Sequence, residues 1–217
     1  MLKKETNESR NRILASIRRN LDASLPFDAA HHRHHYASYV PLNSIPFEDP
    51  VSRFAAALEA VGGNCLIAED EADATQKLAQ IISSVNVEKI VVSASKLVER
   101  VLPPELDVKT QPTKEELFDC DLGITGAQFA VAETGTLVLE SGRENNRLIS
   151  LVPPIHVCLV ETKNIRQKLS EVLAELETDL SPAVTFITGP SRTSDIELTL
   201  AIGVHGPREL FVILIES

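Results

Sequence analysis

The sequence predicts an α/β fold: a mostly parallel sheet flanked by helices, with an inserted hairpin and an N-terminal helical arm. Several segments, such as "IHVCLVE" and "ELFVILIE", are apolar along almost their whole length, which is typical of strands buried on both faces. Stretches with apolar residues at helical spacing alternate with them. The alternation indicates a parallel sheet covered by helices on both sides, and such sheets bind ligands beyond the carboxyl ends of their strands.

Residues 1–48 are predicted to form a helix followed by an irregular segment. One helical stripe carries Ile13, Leu14, Ile17 and Leu21, with arginines around the other side. A solvated helix face is the favoured interpretation of these basic residues, and an arm that docks a partner is the alternative. The following tract contains His31, His32, His34 and His35. Adjacent histidines converge poorly on one ion, so a mobile or partner-facing loop is favoured over a metal site, and no metal site is predicted.

Residues 49–217 are predicted to form a single α/β domain. The predicted helices cover Val51–Val61, Asp73–Ile82, "TKEELFDC", the stretch from Ile165 to Leu176, and a short segment before the last strand. Thr113 and Glu116 have the spacing of a capping box at the third of these helices. The predicted strands are "NCLIAE", "KIVVSA", "DLGIT", "IHVCLVE", "AVTFIT" and "ELFVILIE". The stretch "GAQFAVAETGTLVLESG" departs from this alternation and predicts a hairpin with Gly135 at its bend.

Composition excludes several classes of function. The chain has 217 residues and a net charge of −10, which argues against nucleic-acid binding because phosphate contacts need clustered Lys and Arg. No apolar run approaches the length of a membrane span. Cys65, Cys120 and Cys158 are far apart and form no C-x-x-C pair, so they predict neither a zinc knuckle nor an iron–sulfur cluster. We therefore expect a cytoplasmic protein that holds no cofactor of its own.

The end of the chain contains the first candidate site. The turn at Gly189 and the hydroxyls of Ser191 and Thr193 precede the predicted last helix, whose N-terminus would suit an anion such as a carboxylate or phosphate. The alternative is a well-capped helix whose dipole Asp195 satisfies. His205 lies between two glycines, where it could serve as an acid, a base or a ligand anchor, or simply as a turn residue.

Two further segments carry candidate residues. In "AETGT", Glu133 could act as a base or nucleophile or merely hydrogen-bond the turn, and Thr134, Gly135 and Thr136 are candidate ligand contacts. His156, after two prolines, is a candidate acid or base, with a half-buried histidine bonded to backbone as the alternative. The chain lacks G-x-G-x-x-G, Walker and G-x-S-x-G motifs, so nucleotide and hydrolase functions have no motif support.

Three segments in this order and spacing resemble the LutC/YkgG family of lactate-utilisation proteins, within the LUD domain group. They are "GITGAQFAVAETGTLVL", "NNRLISLVPPIHVCLV" and "GPSRTSDIELTLAIGVHGPREL". The resemblance implies a fold similar to the NagB/RpiA/CoA-transferase group. It also implies a role in oxidising L-lactate to pyruvate with iron–sulfur partner proteins, which would hold the clusters. A small organic acid or another anion is the expected ligand. The alternatives are a stand-alone isomerase or CoA-transferase type enzyme using Glu133, and a non-catalytic assembly or regulatory subunit.

Overall fold

The computed structural model describes residues 10–19, 49–144, 146–177, 181–194, 200–202 and 206–216. Its contacts divide the chain into two compact units, Met1–Ile45 and Pro46–Ser217. In the first unit, residues 10–19 form helix α1, as the sequence predicts, and Ile13 and Ile17 on it are exposed. Leu21 and the four histidines of the His tract lie outside the described residues.

The second unit is built on the predicted parallel sheet. Its six strands are β1 (Asn64–Ala68), β2 (Ile90–Val92), β3 (Val108–Lys109), β4 (Leu122–Gly126), β7 (Ile155–Glu161) and β12 (Glu209–Ile215). They are all parallel and lie in the order β1-β12-β7-β4-β2-β3. The two central strands, β7 and β4, are almost wholly buried, which explains why their sequences are apolar without alternation.

Six helices of the second unit are described, and three of them begin at a side-chain cap. They are α2 (Pro50–Ala60), α3 (Glu71–Val85), α4 (Lys96–Val101), α5 (Lys114–Phe118), α6 (Ser141–Glu144) and α7 (Leu169–Leu176). The Asp49 carboxylate accepts hydrogen bonds from the first turn of α2, and Asp70 does the same for α3. The predicted capping box of Thr113 and Glu116 is confirmed at α5.

A second sheet of four strands packs on the first. Its strands are β5 (Phe129–Val131), β6 (Thr136–Glu140), β8 (Ile165–Arg166) and β9 (Val184–Ile187), in the order β8-β5-β6-β9. The predicted hairpin is confirmed as β5 and β6, which form the centre of this sheet. β9, the "AVTFIT" strand, pairs antiparallel with β6 and is not part of the parallel sheet. Ile165, predicted as helical, lies in β8.

The predicted last helix is wrong. Arg192–Ser194 (β10) and Leu200–Ile202 (β11) pair as an antiparallel ribbon, so the segment after β9 is a hairpin. The tract "ELTLAI" has apolar residues at every second position and includes β-branched Thr and Ile, a pattern that favours a strand. Asp195, the proposed cap of that helix, lies outside the described residues.

The core of the second unit lies on both faces of the parallel sheet. On one face, Ile124, Val157 and Ile213 pack against apolar side chains of α3 and α4 such as Leu78 and Val98. On the other, Cys158 and Val212 pack with Phe54 and Leu58 of α2 and with Leu137 of the second sheet. The parallel sheet is therefore the middle layer, and its strand ends remain as the places where polar groups gather.

Gly135, at the bend of the β5–β6 hairpin, permits a close backbone contact with α2. Its φ is +65°, and a Cβ there would lie 2.4 Å from the backbone nitrogen of Leu58. Both the dihedral angle and the contact exclude a side chain, because an L-residue is strained at positive φ and the helix backbone cannot move aside cheaply.

We predict that Gly135→Ala lowers the free energy of unfolding by about 3 kcal/mol, from the strained dihedral angle and the overpacking against α2. Urea unfolding followed by circular dichroism measures this. Gly142→Ala is the matched control, because Gly142 is exposed and its added Cβ would approach only the Ser181 side chain, at 3.1 Å. Equal stability of the two variants would show that the turn does not depend on glycine.

Candidate functional site

A cleft of about 630 Å³ lies at the carboxyl ends of the central parallel strands. Residues at or just beyond the ends of β2, β4 and β7 contribute to its walls, among them Ser95, Gln128 and Glu161. The second sheet contributes Phe129 and Glu140. This edge of a parallel sheet is where α/β proteins bind ligands, and the volume is that of a small-molecule site.

The walls of the cleft carry one more positive than negative side chain. The cations are Lys96, Arg100, Arg143 and Arg166, and the acids are Glu140, Glu161 and Glu175. This local excess contrasts with the net charge of −10 of the whole chain. The cleft is therefore suited to an anion of low charge.

Three of the four cations are already paired. Arg166 makes a two-pronged pair with Glu175 and stacks over the Phe129 ring at 5.2 Å. Arg100 contacts Glu161 at 3.4 Å, and Arg143 contacts Glu140 at 3.3 Å. Lys96 makes no ion pair within the part of the chain that the structure describes, and it is exposed. An anionic ligand can bind Lys96 without first breaking an ion pair.

A buried carboxylate supports the floor of the cleft. Glu144 is 1% exposed, and its Oε2 accepts hydrogen bonds from the Ser93 hydroxyl after β2 and from the Gly126 N–H at the end of β4, the latter at 2.9 Å. Its Oε1 accepts from Gln128 Nε2 at 2.8 Å. Burial raises the pKa of Glu144 above its usual value, and the three hydrogen bonds oppose this rise.

Gln128 is held at both ends of its side-chain amide. Nε2 donates to Glu144, and Oε1 accepts from the Glu140 N–H at 2.6 Å. Because one partner only accepts and the other only donates, the orientation of the amide is fixed. The same two bonds tie the end of β4 to the end of β6, so they also join the two sheets.

The structure gives Glu133 a structural role. Its Oε1 accepts a hydrogen bond at 2.9 Å from the N–H of Leu169, the first residue of α7. Its own N–H donates to the Gln167 carbonyl at 3.1 Å. Glu133 is not among the residues that line the cleft. The side chain of Glu133 therefore bonds α7 and not the turn that the non-catalytic alternative named.

The other predicted residues of the "AETGT" turn pack together, away from the cleft. The hydroxyls of Thr134 and Thr136 lie 2.7 Å apart, and Thr136 in turn lies 2.7 Å from the Thr188 hydroxyl. Gly135 is covered by α2. This chain of hydroxyls links the hairpin bend to the end of β9.

The structure does bring His156, Gly189 and Ser191 together, but at the opposite end of the parallel sheet. They line a smaller cavity of about 190 Å³ with Ser150 and Gly206. His156 is the second residue of β7, so this cavity lies at the amino end of the strands. These residues therefore lie away from the carboxyl edge, because β9 belongs to the second sheet and the described residues Arg192–Ser194 and Leu200–Ile202 after it are strands.

The Ser191 N–H in the turn after β9 already has an acceptor within the domain. The Ser191 N–H donates to the Pro207 carbonyl at 2.8 Å, and Gly189, with φ of +84°, fits closely against Val61. Thr193 lies in β10, and its side chain is outside the described part, as is His205. An anion site at the Ser191 N–H therefore gains no support from the geometry.

His156 is completely buried and only half satisfied. Its Nε2 lies 2.8 Å from the Thr125 hydroxyl, and its Nδ1 has no hydrogen-bond partner among the described residues. Burial lowers the pKa of His156 to about 3, so the imidazole is neutral at physiological pH. Such a group does not supply a proton near neutral pH.

The residues around Glu144 were not predicted from the sequence. The sequence pattern that could have indicated these residues is polar segments at strand ends: "SAS" follows the "KIVV" strand and "TGAQ" follows the "DLGI" strand. Both strands end at the same edge of the sheet. Glu144 itself lies in "ESGREN", which carries no recognisable spacing to those segments.

Two negative observations apply to the described residues alone. They contain no group of three or more His, Cys, Asp or Glu side chains that could hold a metal ion. None of their helices combines the length and the hydrophobicity needed to cross a membrane.

The fold and the cleft define a two-sheet α/β domain with a candidate small-molecule site. Its fold is similar to the crystal structure of a DUF162 family protein from Deinococcus radiodurans, with a TM-score of 0.62 and 23% sequence identity. That similarity covers 76% of this chain and 96% of the other. The model of the LUD domain matches residues 51–215, and the chain belongs to the LUD domain family.

Curated relatives agree with this assignment. Lactate utilization protein C of Halalkalibacterium halodurans is 36% identical over 109 residues, which cover 48% of this chain and 47% of the relative. Lactate utilization protein C of Bacillus subtilis is 34% identical over 103 residues, 45% of this chain and 43% of the relative. An uncharacterized protein of Neisseria meningitidis serogroup B is 43% identical over 106 residues, 47% of this chain and 46% of the relative. The resemblance to the LutC/YkgG family is confirmed, and the chain spans about half the length of the curated relatives it matches.

Because the unfolded chain binds a proton at His156 near pH 6.5 and the folded chain does so only near pH 3, folded stability falls as pH drops below about 6.5. We predict that protonation of His156 in the unfolded chain lowers the free energy of unfolding of the wild type by about 2 kcal/mol between pH 7 and pH 5. Each pH unit below the unfolded pKa contributes about 1.36 kcal/mol. Urea unfolding at pH 7, 6 and 5 measures the loss. His156→Gln, which cannot titrate, should lack this part of the slope, and identical slopes in both proteins would contradict the prediction.

Proposed function

We propose that this protein is a subunit of an L-lactate utilisation system that oxidises L-lactate to pyruvate together with iron–sulfur partner proteins. In this system the cleft at the carboxyl ends of β2, β4 and β7 binds the small organic acid. The observation that carries the proposal is the cleft itself, with one excess positive side chain and with Lys96, which has no ion-pair partner among the described residues. A monocarboxylate such as lactate matches that charge.

The names of the relatives support the choice of acid. Proteins called lactate utilization protein C share about a third of their residues with this chain in the matched region. The chain matches only about half of the length of those proteins. Its substrate and its partners are therefore inferred from them as a proposal.

The placement of the cysteines supports electron carriers in the partners. Cys120 and Cys158 are buried and Cys65 is half-buried. Cys65 and Cys158 pack in one core cluster and Cys120 in another. Burial raises the pKa of Cys65 to about 12, so this thiol is not a ready thiolate ligand. We therefore place the iron–sulfur clusters in the partner proteins.

A stand-alone enzyme with Glu133 as its nucleophile is the weaker candidate. That carboxylate is engaged by the first N–H of α7 and does not line the cleft. A subunit that only assembles the partners is the second candidate. The co-purification experiment below distinguishes it from a subunit that binds the acid.

We predict that deleting the gene abolishes growth on L-lactate and spares growth on pyruvate, in a host without another lactate dehydrogenase. Wild-type protein should restore growth. Lys96→Gln should restore it poorly, since the ligand loses its unpaired cation. Lys114→Gln is the matched control, because Lys114 is also an exposed first residue of a short helix but lies outside the cleft. Normal growth of the deletion strain on L-lactate would refute the proposal.

We predict that the tagged chain co-purifies with the proposed iron–sulfur partner proteins, and that lactate oxidation by the mixture requires this chain. The assay follows reduction of an artificial electron acceptor with L-lactate as substrate. If Lys96→Gln binds the partners normally and supports full oxidation, the assembly role is correct and the ligand role is wrong.

A further inference from the structure

The fixed amide of Gln128 leaves one donor available at the cleft. Nε2 carries two hydrogens, and one of them bonds to Glu144 Oε1. Among the described residues, the other hydrogen has no partner, while Gln128 lines the cleft. Because Glu144 and the Glu140 N–H prevent the amide from flipping, this position presents a donor and never an acceptor.

Ser95 supplies a second donor close by. Its hydroxyl makes no capping bond to α4 and no other hydrogen bond within the described residues, although it lines the same cleft. A Cβ placed on Gly126 would lie 2.5 Å from Ser95 Oγ and 3.1 Å from Glu144 Oε1. Both atoms therefore lie beside the same glycine, which places the Ser95 hydroxyl near the oxygen of Glu144 that the Gln128 amide binds.

These two neutral donors lie beside a charged one. Lys96 follows Ser95 directly and lines the cleft without an ion pair in the described part of the chain. A carboxylate is best matched by a cation, whereas an uncharged hydroxyl or carbonyl oxygen is matched by neutral donors. An acid with an oxygen on the carbon next to its carboxylate would present both groups together.

We propose that Ser95 and Gln128 recognise the oxygen at position 2 of the bound acid, so that the cleft selects 2-hydroxy and 2-oxo acids over plain carboxylic acids. Lys96 binds the carboxylate, and Glu144 is a positioning residue that orients Gln128. This inference rests on the proposed function, because it assumes that the acid occupies this cleft. It adds which part of the ligand the site recognises, namely the oxygen at position 2.

The test compares L-lactate with propionate, which has the same carbon skeleton without the oxygen at position 2. Dissociation constants for the full chain are measured by ligand-observed NMR. Wild-type protein should bind L-lactate about tenfold more tightly, the effect of one or two neutral hydrogen bonds. Ser95→Ala should lose most of this preference, with its propionate affinity unchanged. Ser83→Ala, which removes an exposed hydroxyl on α3, is the control and should keep the preference.

Glu144→Gln tests the positioning role. With an amide in place of the carboxylate, one of the three donors faces an NH₂ group, so Gln128 loses its fixed orientation. We expect the preference for L-lactate to fall while propionate still binds, and circular dichroism confirms that the variant is folded. Since this variant is also expected to be less stable, Ser95→Ala provides the independent measurement, as Ser95 makes no bond to Glu144.

The outcomes separate the two proposals. If wild-type protein binds propionate as tightly as L-lactate, the acid site stands and the recognition by Ser95 and Gln128 is wrong. If Ser95→Ala and Glu144→Gln both keep the full preference, the inference is likewise overturned. If neither acid binds the wild type, the ligand part of the proposed function fails and this inference falls with it.

Discussion

The buried carboxylate of Glu144 is the interaction on which the architecture of the cleft depends. Removing a carboxylate from water is costly, and here three donors offset that cost: the Ser93 hydroxyl, the Gly126 N–H and the Gln128 amide. The donors come from the ends of β2 and β4 and from the start of the second sheet. These hydrogen bonds therefore also fix the spacing between the two sheets of the domain, and the cleft forms where the two sheets meet.

Much of the fold could be predicted because its local signals agree with its packing. Strands such as β7 and β12 are buried on both faces, so their apolar runs were informative. The segment after β9 was not predictable in the same way. Its turn residues and possible helix cap predicted a helix, although the alternation of its apolar residues favours a strand, and pairing between β10 and β11 decided the outcome. The second sheet was also missed, since a hairpin sequence does not show which strands will join it.

The candidate site was harder to predict than the fold, for a related reason. Glu133 and the "AETGT" turn looked chemically promising, but Gly135 serves a close backbone contact and Glu133 holds the start of α7. Local sequence shows that a residue is unusual and does not show whether packing or chemistry requires it. Glu144, Gln128 and Ser95 come from three separate segments, after β6, β4 and β2. They come together because β4 pairs with β2 and because Glu144 bonds to groups at the ends of both strands.

The placement of the two cavities at opposite ends of β7 has a consequence for how the protein tolerates change. From His156 to Glu161 the strand extends roughly 16 Å at the usual rise per residue. Groups that far apart, with no shared partner, usually contribute additively to stability. Substitutions near the amino-end cavity and those near the cleft should therefore combine without epistasis, and each end of the domain can diverge among relatives without constraining the other.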